Sequence, residues 1–114
     1  MSEGPTAMTF VKVATLSEVP AGTVRQVDAA GRAIALVNAG GQLYALDNTC
    51  LHRGGPLGQG FLEGESVECP WHGWQFDVRT GRCTFNPSAA VPTYEVRVEG
   101  DDVLVAVPPA GAEP

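Results

Sequence analysis

A chain of 114 residues, 44% of them hydrophobic, is long enough for one buried core and too short for two. Its 13 acidic against 7 basic residues leave a net charge of −6, which repels phosphate backbones and anionic lipid surfaces and so argues against nucleic acid and membrane as partners. A basic protein surface fits the charge better, and solubility alone explains it equally well.

Residues Met1 to Met8 contain Glu3, Gly4 and Pro5, with no basic n-region and no apolar h-region, so no secretory signal is expected. No apolar run reaches the length of a membrane span. The odd count of 3 cysteines does not make a disulfide scaffold. A reducing, cytoplasmic setting is the expectation.

Short strands dominate the first half. Phe10, Val11 and Val13 open an apolar segment, and Ser17 to Gly22 carries turn residues around Pro20, which has no amide to give to a ladder. Val24 and Val27 border a second strand, and Asp28 to Gly31 turn the chain. Ala33 to Val37 is a continuous apolar run fit for a buried strand. Ala39, Gly40 and Gly41 then interrupt it before Leu43 to Leu46 resumes, which is a hairpin signal.

The segment Cys50 to His72, CLHRGGPLGQGFLEGESVECPWH, carries two pairs of metal-ligand side chains, Cys50 with His52 and Cys69 with His72. Sixteen residues separate His52 from Cys69, enough to leave one loop and enter another. As bare chemistry, two Cys and two His also make a tetrahedral zinc site. Zinc modules usually pair like with like, C-x2-4-C and H-x3-5-H, whereas here each loop mixes one Cys with one His, and the spacing favours an iron–sulfur centre.

Beyond the first pair, Glu63 to Ser66 reads as a turn, and Val67 and Glu68 lead as a strand into Cys69. Trp74, Phe76 and Val78 alternate with Gln75 and Asp77 in the period of a half-buried strand that turns at Thr80-Gly81. The two ligand loops are therefore expected at hairpin ends. Tyr94, Val96 and Val98 alternate in the same way, Gly100-Asp101 turns, and Val103 to Val107 forms a last strand before a Pro/Ala/Gly tail. No stretch shows a capped 3.6-residue period, so helix should be minor, and no internal repeat is visible.

The order C-x-H…C-x2-H, with its flanks HRGGPL and CPWHGW, resembles the Rieske family, whose [2Fe–2S] cluster has two Cys on one iron and two His on the other. The resemblance covers roughly residues 9 to 107. It implies an all-β fold: an antiparallel β-sandwich base with a small cluster-binding subdomain of two hairpin loops, about 48–60 and 69–76, between flexible tails 1–8 and 108–114. It also implies one cluster per chain, with Cys50 and Cys69 on the inner iron and His52 and His72 on the outer, surface-facing one. Asn86-Pro87-Ser88 resembles the family's proline-bearing third loop, with Asn86 where a Gly is frequent.

Departures from the family are informative. Its high-potential members carry two further cysteines joined across the loops, and those positions here are Gly55 and Trp71. They also carry a Ser and a Tyr whose hydroxyls donate to cluster or ligand sulfur, and here these are Trp74 and Phe76. Without those donors the reduced cluster is less stabilised, which places the potential at the low end of a range of about −150 to +300 mV. The remaining Cys83 reads as a small buried apolar residue.

Both histidines are assigned to the cluster, so the 2-His-1-carboxylate site of a terminal oxygenase cannot be built, and no G-x-G-x-x-G fingerprint is present. The resemblance then implies an electron carrier without substrate turnover of its own. It would be a ferredoxin passing single electrons from an NAD(P)H-dependent flavoprotein reductase to a terminal oxygenase of aromatic hydrocarbon catabolism. Transient docking is expected near His52 and His72, with Leu51, Arg53, Leu57, Trp71 and Pro87 as candidate contacts and loop packing as the competing reading for each. A monomer is expected. The alternatives are the small Rieske subunit of a larger complex, such as an assimilatory nitrite reductase, and a structural zinc module.

Overall fold

Strand β3, Arg32–Ala39, contains Ile34-Ala35-Leu36-Val37, apolar at every position, so both of its faces need cover. In the computed structural model, which describes residues 9–48, 56–70, 74–84 and 90–107, all four of these side chains are fully buried. Ile34 and Leu36 enter one core and Ala35 and Val37 another. The rest of the fold is arranged around this two-sided strand.

β3 pairs antiparallel with β2, Thr23–Ala29, and with β4, Gln42–Asp47, and β8, Thr93–Tyr94, adds to β4. The β2–β3 and β3–β4 turns are two residues long, Ala30-Gly31 and Gly40-Gly41, with all four residues at positive φ. That backbone twist suits a tight hairpin, and it explains why glycine recurs there. Asp28 still pairs with Ala33, so the first turn is tighter than the four residues expected.

A second sheet has the order β1-β10-β9, from β1, Thr9–Thr15, β9, Val96–Glu99, and β10, Asp102–Val107. Ala14, Val103, Val105 and Val107 from this sheet pack on Val27, Ile34, Leu36, Leu43 and Ala45 from the first. Two sheets closed over one apolar layer are a sandwich. Tyr94, Val96 and Val98 do not form one strand as their alternation suggests: the chain leaves the four-stranded sheet after Tyr94 and joins the other at Val96. Period-two alternation reports which face a residue takes and not which sheet its strand joins.

The third sheet is small: β5, Phe61–Glu63, β6, Ser66–Glu68, and β7, Gln75–Asp77, in that order. Its inner row, Leu62, Val67 and Phe76, packs on the second face of β3 and β4 with Ala35, Val37, Leu46 and Leu57. The expected all-β architecture, a sandwich base bearing a small subdomain, is thus observed. Among the described residues the only helical pieces are the 3-10 turns Leu16–Glu18 and Leu57–Gln59, and no helix is long and apolar enough to cross a membrane. The segments 1–8 and 108–114 lie outside the described residues.

The two ligand segments have different settings. The second connects paired strands, β6 to β7, and is a hairpin end as expected. The first connects β4 to β5, which lie in different sheets. It carries the chain from the base into the subdomain, an assignment that strand pairing decides and local pattern does not.

Candidate metal centre

Of the four expected ligands, Cys69 lies among the described residues, and Cys50, His52 and His72 lie outside them. Cys69 directly follows β6 and is fully buried. Its amide donates to the Trp74 carbonyl at 2.7 Å. That bond closes the base of the segment bearing His72. Below it, Val67 pairs with Phe76, whose ring is fully buried and stands 6.5 Å from the Trp74 ring.

The base of the first segment is fixed by Asn48. Its amide donates to the Ala33 carbonyl at 3.2 Å, and its own carbonyl accepts from the Leu57 amide at 2.7 Å. Its side-chain Oδ1 accepts from the Gly58 amide at 2.6 Å. Asn48 is buried, and a buried polar group is kept only where its bonds are made. These contacts tie the start and the end of the span 49–56 to each other and to β3.

The two bases are adjacent. Leu57 and Cys69 share one apolar cluster, and a Cβ on Gly60 would overlap the Glu68 carbonyl oxygen. Gly60 therefore lets the turn after Leu57 lie directly on the residue before Cys69. A buried thiol at one base, with Cys50 two residues beyond Asn48 at the other, suits a thiolate–imidazole donor set in which the cysteines take the inner metal. Cys83 belongs to the same cluster and is bridged to Phe76 from its own short segment. Its burial matches the expected packing role.

Sequence reasoning missed Asn48, Gly58 and Gly60. The signal was present, because an Asn at the end of an apolar strand and just before a Gly-rich loop is a common side-chain cap for local backbone. For one candidate contact the packing reading holds and docking is ruled out: Leu57 is fully buried in the second core and offers no docking surface. A loop leucine beside a glycine gives no sequence cue to which side of the backbone it takes. Leu51, Arg53, Trp71 and the loop Asn86-Pro87-Ser88 lie outside the described residues.

Comparison with known proteins agrees with this architecture. The family model for the Rieske [2Fe-2S] domain matches residues 9–95. The ferredoxin component of the naphthalene 1,2-dioxygenase system of Pseudomonas aeruginosa is 39% identical over 97 residues, covering 84% of this chain and 93% of that protein. A chain in the complex of reduced oxygenase and oxidized ferredoxin of carbazole 1,9a-dioxygenase superposes with a TM-score of 0.77 at 35% identity, covering 85% of this chain and 92% of that one. A nitrite reductase small subunit from Mycobacterium tuberculosis superposes with a TM-score of 0.82 over 89% of this chain and 96% of its own, but at 22% identity, a likeness of fold alone. With the matched span running from β1 through β8 and across both ligand segments, the chain belongs to the Rieske [2Fe-2S] family, carries that family's cluster, and is an electron carrier of the ferredoxin kind.

Proposed function

We propose that Cys50 and Cys69 bind the inner iron and His52 and His72 the outer one, within a single Rieske domain spanning residues 9–107. The observation that carries this reading is the joint placement of the two loop bases. Asn48 closes one through Leu57 and Gly58, Cys69 closes the other through Trp74, and Gly60 holds them together. Two loops closed at adjacent bases suit four donors gathered on one centre.

When bound, the cluster supplies a one-electron couple. The protein's share of the work is to hold the thiolates in an apolar setting and to leave the histidine end for a partner. The chain accepts single electrons from an NAD(P)H-dependent flavoprotein reductase and passes them to the terminal oxygenase of an aromatic-ring dioxygenase system, docking transiently near His52 and His72. Its relatives are named as ferredoxin components of such systems, and the carbazole relative is seen together with its oxygenase. The protein acts as a cytoplasmic monomer.

The test is the visible and EPR spectrum of the purified protein before and after dithionite. A rhombic signal on reduction with average g near about 1.9, as mixed Cys/His [2Fe–2S] centres give, supports the assignment. A colourless, EPR-silent protein with about one zinc per chain overturns it. Size-exclusion chromatography then separates a free carrier from a subunit held in a larger complex.

A further inference from the structure

Cross-strand register in the small sheet sorts its side chains into two rows. Leu62, Val67 and Phe76 face the core, and Phe61, Glu63, Ser66, Glu68, Gln75 and Asp77 face outward. This outer face has three carboxylates and no cation of its own. Phe61 sits at its edge with 62% of its surface exposed, the most exposed large hydrophobic among the described residues.

The charges on this face are unevenly answered. Asp77 has Arg79 beside it at 3.7 Å, a guanidinium shared with Glu65 at 3.5 Å. Glu63 and Glu68 instead meet one neutral donor, the Gln75 amide, at 3.5 and 3.4 Å. Among the described residues neither has an ion pair. Two carboxylates held together by an amide offer a place for a cation delivered from outside, and the exposed ring next to them offers an apolar contact that would exclude water around it.

We infer that this outer face is a docking surface for a redox protein that presents Lys or Arg side chains around an apolar notch. The inference rests on the electron-carrier reading and extends the docking zone from the histidine end onto the side of the subdomain. Location argues for a redox partner: Glu68 immediately precedes Cys69, and Gln75 follows Trp74, whose carbonyl closes the Cys69 segment. A protein seated on this face is one residue from a ligand of the cluster. Charge argues against a second copy of the chain, since each copy carries −6 and would bring an acidic face to an acidic face.

The probe is cytochrome c, a basic haem protein able to accept one electron. Zero-length carbodiimide cross-linking to its lysines, mapped by mass spectrometry, is expected to fall on Glu63 and Glu68. Cross-links concentrated instead on Glu99, Asp101 and Asp102 of the β9–β10 hairpin, or spread evenly, overturn the proposal. In stopped-flow oxidation of the dithionite-reduced protein at low salt, Glu63→Gln/Glu68→Gln should slow the reaction about tenfold, in the range of electrostatic steering. Phe61→Ser, exposed and so tolerated by the fold, should lower cross-link yield about threefold at physiological salt, where steering is screened. A double variant within about twofold of the wild-type rate removes the steering role. The cross-link map needs no electron transfer, so a failed docking face and a failed carrier reading give different results.

Discussion

Asn48 Oδ1 accepts a hydrogen bond from the Gly58 amide at 2.6 Å across the mouth of the first ligand segment, and both residues are buried. The contact is tight on every side. A Cβ added at Gly58 would stand 2.6 Å from that oxygen and 2.6 Å from the Gln26 Cα on β2. Two changes test it in opposite senses. Asn48→Ala strands the Gly58 amide in an apolar setting and should cost about 1–3 kcal/mol. Gly58→Ala overfills the site and should cost about 1–3 kcal/mol. Urea unfolding gives the stability, and iron per chain gives the effect on the site. Both variants should bind less iron than wild type, while a neutral result for Gly58→Ala would mean that the turn at Leu57–Gln59 can shift away from β2.

Gly81 tests the other end of the subdomain. It has φ +77°, and a Cβ there would overlap the Val91 carbonyl oxygen, which lies on the chain segment entering β8. Backbone strain and a backbone clash coincide, so Gly81→Ala should cost more than the roughly 1–3 kcal/mol of a strained backbone position alone. Gly31→Ala is the control, because it too has positive φ, at +86°, but meets nothing within 4 Å. Thermal unfolding of the two variants should therefore separate strain from collision, with Gly81→Ala melting well below Gly31→Ala.

Much of this fold was legible because the strongest signals were local. The unbroken apolar run of β3 announced burial on both faces, the Gly-Gly pair marked a hairpin, and C-x-H with C-x2-H carried the resemblance to the family. What escaped was decided by pairing at a distance. Nothing in Tyr94-Glu95-Val96 says that the strand changes sheet, and nothing near Cys50 says that β4 and β5 do not pair. Leu57 was left open between docking and packing for the same reason: beside Gly58 and Gly60, only the position of the second core shows that its side chain turns inward. Asn48 was legible in principle, but its partners Gly58 and Ala33 lie ten residues ahead and fifteen behind.

The two described cysteines have separate roles that one experiment distinguishes. Cys69 is expected to be a ligand and Cys83 a packing residue, although both are buried in one cluster. Cys69→Ser should abolish the visible absorption of the cluster. Cys83→Ala removes one sulfur's worth of packing, so it should cost about 1 kcal/mol and leave the reduced EPR signal unchanged. Loss of the signal in Cys83→Ala would assign that thiol to the centre.

Tyr94 gives the fold a dependence on alkaline pH. Its hydroxyl donates to Asp47 Oδ2 at 3.4 Å, and partial burial, followed by the Asp47 charge, raises its pKa above the ordinary tyrosine value, with Arg32 opposing. A raised folded-state pKa means that the unfolded chain releases the phenol proton first. The contribution to stability is therefore complete below about pH 10, the ordinary tyrosine value. It is lost as pH rises through the folded value. Tyr94→Phe should flatten the fall in urea midpoint above about pH 10 and change stability at neutral pH by no more than about 1 kcal/mol, the worth of one long hydrogen bond.

The reduction potential follows from what Trp74 and Phe76 lack. Added negative charge on a reduced cluster is stabilised by hydroxyl donors to sulfur, and neither side chain carries a hydroxyl. Phe76 is fully buried among Cys69, Val67 and Val78, and Trp74 packs against the same cluster, so the described side chains at this loop base are largely apolar. Burial disfavours the more negative reduced state, and the missing hydroxyls of Trp74 and Phe76 act in the same direction. The midpoint should lie toward the low end of the Rieske range of about −150 to +300 mV. Spectroelectrochemical titration decides it, and a midpoint above about +100 mV would show that other donors reach the sulfurs. Phe76→Tyr is the informative variant. If its hydroxyl reaches a sulfur the midpoint rises with the fold intact, and if it is left unpaired in the core the midpoint stays put while the protein loses about 1–3 kcal/mol of stability.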